Sequence, residues 1–362
     1  FRETTPLPTA PFYEIMPWHL LQMIAIIELY LKERFIEPPY AKEFPMSLLL
    51  HQTLSILTSE TDLSPAELAK RVLSLSPFSS ITREDYKELL ISMIKSELIE
   101  QTEDKRLIVG IKGERIVSNF KFYAVFPDSE DYNVKCNSEE IGTISSPVPV
   151  GERFALAGKV WEVKELDLPH RLIYVSQVDG KMEIAWPGAA GAIHTKIIDK
   201  MRRILLSDEN FSYLGEKAKK RLESARSIAR MTHLAKKPIL KVGGTSYVMF
   251  PWLGTKGVRT LKKILISKCA QKFSISSVSS VSCYYITFKM ENGTSQQLLE
   301  YLCSLFEKHP PNSEDCVFDT DLLIVEKFDN FIPINLLKKA FAHDMLDIGE
   351  VGAKCRRNFK NE

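Results

Sequence analysis

The stretch Thr82–Ile111, TREDYKELLISMIKSELIEQTEDKRLIVGI, decides how the first half of the chain is read. Thr82 followed three residues later by Asp85 is a helix start, because the hydroxyl can accept from a first-turn amide while the carboxylate reaches back to the cap amide. Tyr86, Leu89, Leu90 and Met93 then recur at three or four, which makes one apolar face of a helix running through Ile94. Leu98–Gln101 and Leu107–Ile111 alternate in polarity around the tip Glu103-Asp104-Lys105, which predicts a hairpin.

Two more helical patterns precede this one. Met46–Leu57 is rich in Leu and Ile, and Ser64-Pro65-Ala66-Glu67 combines a capping box with Pro at the first helical position in a helix running to about Leu75. Three short helices followed by a β-wing are the order of a winged helix, placed at Ala41–Asn119. In front of it, Leu20, Ile24, Ile27 and Leu31 mark an amphipathic helix between Pro17 and Ile36, stopped by Pro38-Pro39. With the Thr/Pro-rich Phe1–Pro11 ahead of it, Phe1–Tyr40 reads as a linker and the terminal helix of an upstream domain. Phe1-Arg2-Glu3 lacks an initiator Met and is not a signal peptide, so a piece of a longer chain or a processed one is expected.

Beyond Lys121 the period switches to two. Phe122–Phe126, Asn133–Lys135, Ile141–Ile144, Arg153–Leu156, Val160–Val163 and Leu172–Val175 are predicted strands, separated by Gly, Pro, Asp and Asn, which implies a barrel or curled sheet. The loop Trp186-Pro187-Gly188 follows, then a helical insert from Ile193 to Ala235. Strands at Ser246–Phe250 and Cys283–Phe288 enclose a helix near Arg259–Lys268, Ser274–Ser282 is a loop or edge strand, and Ser295–Phe306 and Leu336–Phe341 are the last helices. The expected fold class is α+β, a winged helix followed by a β-barrel-like domain, Phe120–Glu362, with helical insertions.

A chain of 362 residues has room for two or three domains. Its net charge of +2 neither demands nor excludes a polyanionic partner, so local clustering must decide. Cys136, Cys269, Cys283, Cys303, Cys316 and Cys355 form no C-x-x-C pair and fit a reducing, cytoplasmic compartment. No apolar run reaches the roughly 18 residues of a bilayer span, so no membrane partner is expected.

Catalytic constellations are missing. Nothing matches the phosphate cradle G-x-x-x-x-G-K-[ST]; Gly254-Thr255-Lys256 and Gly158-Lys159-Val160 each lack part of it. No Asp-Glu pair follows an apolar strand to hold magnesium, and G-x-S-x-G and H-E-x-x-H are also absent. The seven histidines are single, and His51, inside an apolar helix, reads as a hydrogen-bonded core residue. Asp208-Glu209 reads as a helix–loop boundary. The chain by itself is expected to be no enzyme and to hold no cofactor.

Charge is segregated instead. Lys196 to Lys237 carries 12 basic and 5 acidic side chains, a local +7 that leaves the remainder of the chain acidic. Arg202, Arg203, Lys217, Lys219, Lys220 and Arg221 are the candidates for sequence-independent phosphate contacts, against the alternative of a solvated helix face. Trp186, in a Pro-Gly loop outside any strand, is a candidate for stacking on a base. Trp161 is a second, although its alternation with Val160 and Val163 favours core packing. On the predicted winged helix, Arg83, Lys87 and Lys95 are offset by Glu84 and Glu88, and the wing adds Lys105 and Arg106, which suits backbone contact or a wedge more than base readout.

Several blocks resemble one family. Phe122-Tyr123-Ala124-Val125-Phe126, Ile141-Gly142-Thr143-Ile144 and Gly151-Glu152-x-Phe154-x-Leu156-Ala157-Gly158-Lys159-x-Trp161-x-Val163 are similar to the region after the motor of Lhr-type superfamily 2 helicases. So are Trp186-Pro187-Gly188, Phe250-Pro251-Trp252-x-Gly254-Thr255 and Lys327-Phe328-Asp329-x-Phe331-x-Pro333-x-x-Leu336-Leu337, in the family's order from about Pro17 onward. The resemblance implies a winged helix and β-barrel behind two ATPase domains that this sequence does not contain. It also implies ATP and magnesium in those domains, single-stranded DNA or an RNA–DNA hybrid as partner, and a role in guiding the strand during 3′–5′ translocation. Two other readings stay open: a freestanding winged-helix/barrel DNA-binding or repair module, and a structural interaction platform, such as one within an anti-phage defence complex.

Overall fold

Both capping boxes form. The Ser64 hydroxyl accepts from the Glu67 amide at 3.3 Å while Glu67 Oε2 accepts from the Ser64 amide at 3.0 Å. The Thr82 hydroxyl accepts from the Asp85 amide at 3.1 Å and Asp85 Oδ2 accepts from the Thr82 amide at 3.0 Å. The computed structural model describes residues 10–126, 131–137, 139–145, 147–178, 191–322 and 326–358. The chain forms two compact units: residues 1–40, 192–316 and 345–362 make one, and residues 41–191 and 317–344 the other.

In the second unit the helices Met46–Glu60, Pro65–Leu73 and Arg83–Lys95 precede an antiparallel pair, Ile99–Gln101 with Leu107–Val109. Leu63, between the first two helices, adds a β-bridge to Leu107. Leu49, Leu54, Leu57, Leu68, Leu89 and Leu98 fill the core, which Phe328 and Leu336 from the end of the unit complete. The chain does not run from the hairpin straight into a strand. A helix, Ile111–Val117, follows, and Gly113 lets it approach: a Cβ there would lie 2.1 Å from the Leu98 carbonyl oxygen.

Asp85 has a second task. Lys339 Nζ donates to both of its carboxylate oxygens, at 2.7 and 2.8 Å, tying this helix to Ile334–Met345. Burial pushes the Asp85 carboxyl up, but the hydrogen bonds from Lys339 and Thr82 outweigh it and hold the group below the usual carboxylate range. The associated stability is therefore present above the unfolded value near 4 and lost as pH falls through the lower folded value. Asp85→Asn is expected to cost about 1–3 kcal/mol at pH 7. Its urea-unfolding midpoint should converge on that of the wild type as pH drops below about 4.

The same unit carries a five-stranded curled sheet in the order Glu139–Ile144, Tyr132–Cys136, Leu172–Val178, Lys159–Asp167, Arg153–Leu156. Neighbours are antiparallel, except that Tyr132–Cys136 and Leu172–Val178 run parallel. Irregularities between Val134 and Lys135 and between Val163 and Glu165 add the local twist that curls the sheet. Among the described residues the two outer strands do not meet, so the expected barrel is an open half-barrel. Val134, Trp161, Val163, Ile173 and Val175 form its core.

Phe122–Phe126, expected as a strand, is a 3₁₀ turn, Phe120–Tyr123, followed by irregular chain. Side chains take the carbonyls of Lys121, Phe122 and Ala124 in place of a neighbouring strand. His51 Nε2 donates to the Phe122 oxygen at 2.8 Å, and Lys327 Nζ donates to the Ala124 oxygen at 2.7 Å and to the Lys121 oxygen.

In the first unit the helix Trp18–Glu33, expected to end an upstream domain, packs within the unit itself. Trp18 stacks on Tyr284, with centroids 5.5 Å apart and planes within 9°, and packs against Phe250 and Trp252. A four-stranded antiparallel sheet runs in the order Ile275–Val281, Tyr285–Met290, Ser246–Met249, Ile239–Gly243. The serine-rich segment is thus an edge strand. Helices Thr255–Ile264, Ser295–Lys308 and Ile348–Asn358 accompany it. The expected single domain from Phe120 to Glu362 is therefore divided between the units, because its strands belong to two separate sheets. No described helix is long and apolar enough to cross a membrane.

Candidate nucleic-acid interface

The insert is a pair of helices, Thr195–Leu206 and Glu216–Thr232. Ile197, Ile198, Met201, Ile204 and Leu205 bury one face of the first, and Leu222, Ala225, Arg226 and Ala229 one face of the second. Asp208 and Glu209 lie in the connecting segment, outside both helices.

Much of the positive charge is answered inside the unit. Lys196 pairs with Glu33 at 2.8 Å and lies 4.5 Å from the Phe35 ring centroid. Its ammonium, with Lys200 and Arg203 behind it, holds the Glu33 carboxyl below the usual range. Glu37 accepts from the amide of His194, the helix cap, at 2.7 Å. Arg202 Nε donates to the Ala235 oxygen at 2.6 Å. Arg230 approaches Asp208 at 3.6 Å.

Arg226 is buried, and it closes the connection between the helices. Its Nε donates to the Ile204 oxygen at 3.1 Å, and its Nη2 to Ser207 Oγ at 3.2 Å and the Glu209 oxygen at 2.8 Å. Burial pulls the guanidinium pKa down. Arg226→Met would leave buried acceptors unsatisfied and is expected to cost about 2–4 kcal/mol in urea unfolding. Affinity per folded molecule for any polyanion should be unchanged.

What remains for solvent is a narrower set. Lys217 and Lys220 stand at i and i+3, away from the buried side of Glu216–Thr232, with the half-buried Arg221 flanking them. The ammonium groups of Lys217 and Lys220 are exposed with no partner among the described residues. Lys219 pairs with Glu216 at 3.0 Å. Arg203 is exposed and, with Arg202, borders a cleft of about 390 Å³ that Thr195, Asp199, Glu350 and Lys354 also line. Lys354 donates there to Asp199 at 3.1 Å and to the Trp252 oxygen at 3.0 Å. Burial lowers the Lys354 pKa and raises that of Glu350.

In the other unit, Arg83 and Lys87 lie one turn apart, exposed and without partners among the described residues. Lys105 sits at the hairpin tip with φ of 60°. Arg106 is committed: its Nε and Nη2 meet the Asp62 carboxylate at 2.9 and 3.1 Å, bracing the hairpin against the turn before Pro65–Leu73. Trp161 is 3% exposed, and its indole N–H donates to the Leu156 oxygen at 3.0 Å, which is the core placement its alternation favours. Trp186, with Pro187 and Gly188, lies outside the described residues. His51 is buried and stacks on Phe122 at 4.4 Å. Among the described residues no group of three or more His, Cys, Asp or Glu could hold a metal ion.

Sequence reasoning missed three exposed rings, Phe120, Tyr123 and Phe126, by placing Phe122–Phe126 in a strand. Their spacing of three was the available signal.

Among solved structures, the chain is similar to that of the Mycobacterium smegmatis helicase Lhr bound to ssDNA and AMP-PNP. Identity is 11% and the TM-score 0.48, and the match covers 93% of this chain and 48% of that one, so the chain spans about half the length of the helicase. No family model matches the sequence, and no curated protein matches it.

Proposed function

We propose that this chain is the nucleic-acid-binding region that accompanies the motor of an Lhr-like helicase, holding single-stranded DNA or an RNA–DNA hybrid by its backbone during ATP-driven translocation. The observation that carries the reading is the pair Lys217 and Lys220, exposed one turn apart on Glu216–Thr232 with no side-chain partner among the described residues, whereas Arg226, Lys196 and Arg202 are each committed inside the unit. Supporting it are the order of motor-following sequence blocks and the three helices, bridge and hairpin of residues 46–109, which we take as a winged helix. ATP hydrolysis would belong to motor domains, since this sequence has no phosphate loop.

The test is anisotropy of a fluorescent single strand titrated with the chain at several salt concentrations. A log K that falls linearly with log salt, with little dependence on sequence, is expected. Absence of binding at low salt would sink the proposal. It would leave the interaction-platform reading, which the exposed Met23, Ile26, Tyr30 and Leu31 on the helix Trp18–Glu33 favour.

A further inference from the structure

We propose that Phe120 and Tyr123, with Phe126 three residues further along the chain, form a stacking platform that grips a base of the single strand. This deepens the function proposed above and rests on it.

The segment FKFYAVF, residues 120–126, divides its aromatics by role. Phe122 is buried on His51 and anchors the turn. Phe120, Tyr123 and Phe126 are 77%, 92% and 76% exposed. Leaving three large rings in water is unfavourable unless something covers them.

The backbone beneath is held in place. His51 takes the Phe122 carbonyl, Lys327 takes those of Lys121 and Ala124, and the Asn119 side chain caps the turn by accepting from the Lys121 amide at 3.0 Å. The rings therefore stand on a tied segment, so little ordering entropy would be lost on binding.

The turn geometry suits one base. In a 3₁₀ helix residues i and i+3 eclipse and rise about 2 Å per residue, which places Phe120 and Tyr123 on one face about 6 Å apart along the axis. A base stacked on both sides at about 3.4 Å needs a gap of roughly 6.8 Å, close to that axial separation.

Charge complementarity names the occupant. Residues 111–126 carry Lys112, Arg115 and Lys121 against the single acid Glu114; Lys112 pairs with Glu97 at 3.0 Å, and the Arg115 side chain is exposed with no partner among the described residues. Aromatic faces set among cations are the chemistry that binds single strands without regard to sequence.

The test uses the full chain, a fluorescent oligothymidylate and the same oligonucleotide with abasic positions. Phe120→Ala/Tyr123→Ala should weaken binding to the oligothymidylate by about 10- to 100-fold, the range for one or two lost stacks. The log K versus log salt slope should not change, because stacking releases no counterions. The wild type should lose affinity for the abasic strand, and the double variant should be indifferent to it. Phe120→Trp/Tyr123→Phe should stay close to wild type, and melting temperatures should confirm that all variants fold. If the wild type binds and the double alanine variant binds equally well, the platform is wrong while the proposed function stands. The platform is equally overturned if that variant's only change is lost self-association, measured by sedimentation. A wild type that fails to bind the strand at all removes the proposed function and the platform together.

Discussion

Trp161→Ala should lower the stability of the unit that holds the half-barrel by about 3–5 kcal/mol, the range for removing a large buried aromatic. The ring is the largest buried side chain in a small core, with Val134, Val163, Ile173 and Val175 buried around it and Tyr132, Phe154 and Leu156 among the partly buried side chains packed against it. Its removal leaves a void that neighbours fixed on a hydrogen-bonded sheet can fill only in part by relaxing. It also leaves the Leu156 carbonyl, now paired with the indole N–H at 3.0 Å, without that donor. Trp161→Phe should recover most of the loss. Urea unfolding monitored by circular dichroism checks both. A Trp161→Ala chain that melts like the wild type but binds single strands poorly would move this ring from core to interface.

Reversing charge at Lys217, Lys220 and Arg221 to Glu should reduce single-strand affinity by about 100-fold at 50 mM salt and lower the magnitude of the log K versus log salt slope by about 2, at roughly 0.7 per phosphate contact. The loss should be alike for every sequence, because point contacts to phosphate carry no base information. Lys219→Glu should do less, since Lys219 already spends its charge on Glu216. Arg226→Met separates the roles further: it should disturb folding and leave the slope alone. An unchanged slope in the triple variant would identify the row as an ordinary solvated face.

The amino-acid sequence alone determined the local elements. Capping boxes at Ser64 and Thr82, the 3.6 period of Tyr86, Leu89, Leu90 and Met93, and the alternation around Trp161 are signals carried within a few residues of the atoms that act on them. They located the three helices, the hairpin and five strands of the half-barrel, and they placed Trp161 in a core. Only the tertiary structure decided what depends on residues far apart. The helix Trp18–Glu33 read as the end of something else because its partners, Phe250, Trp252 and Tyr284, lie more than 200 positions away. Phe122–Phe126 read as a strand because nothing local says that His51 and Lys327 will take its carbonyls. The +7 of the insert read as one block, whereas folding brings Glu33 to Lys196, puts Arg226 under the connecting segment and leaves Lys217 and Lys220 to solvent. Periodicity records which side of an element is apolar. Which charges are neutralised, and which rings stay uncovered, depends on what the rest of the chain brings against that element.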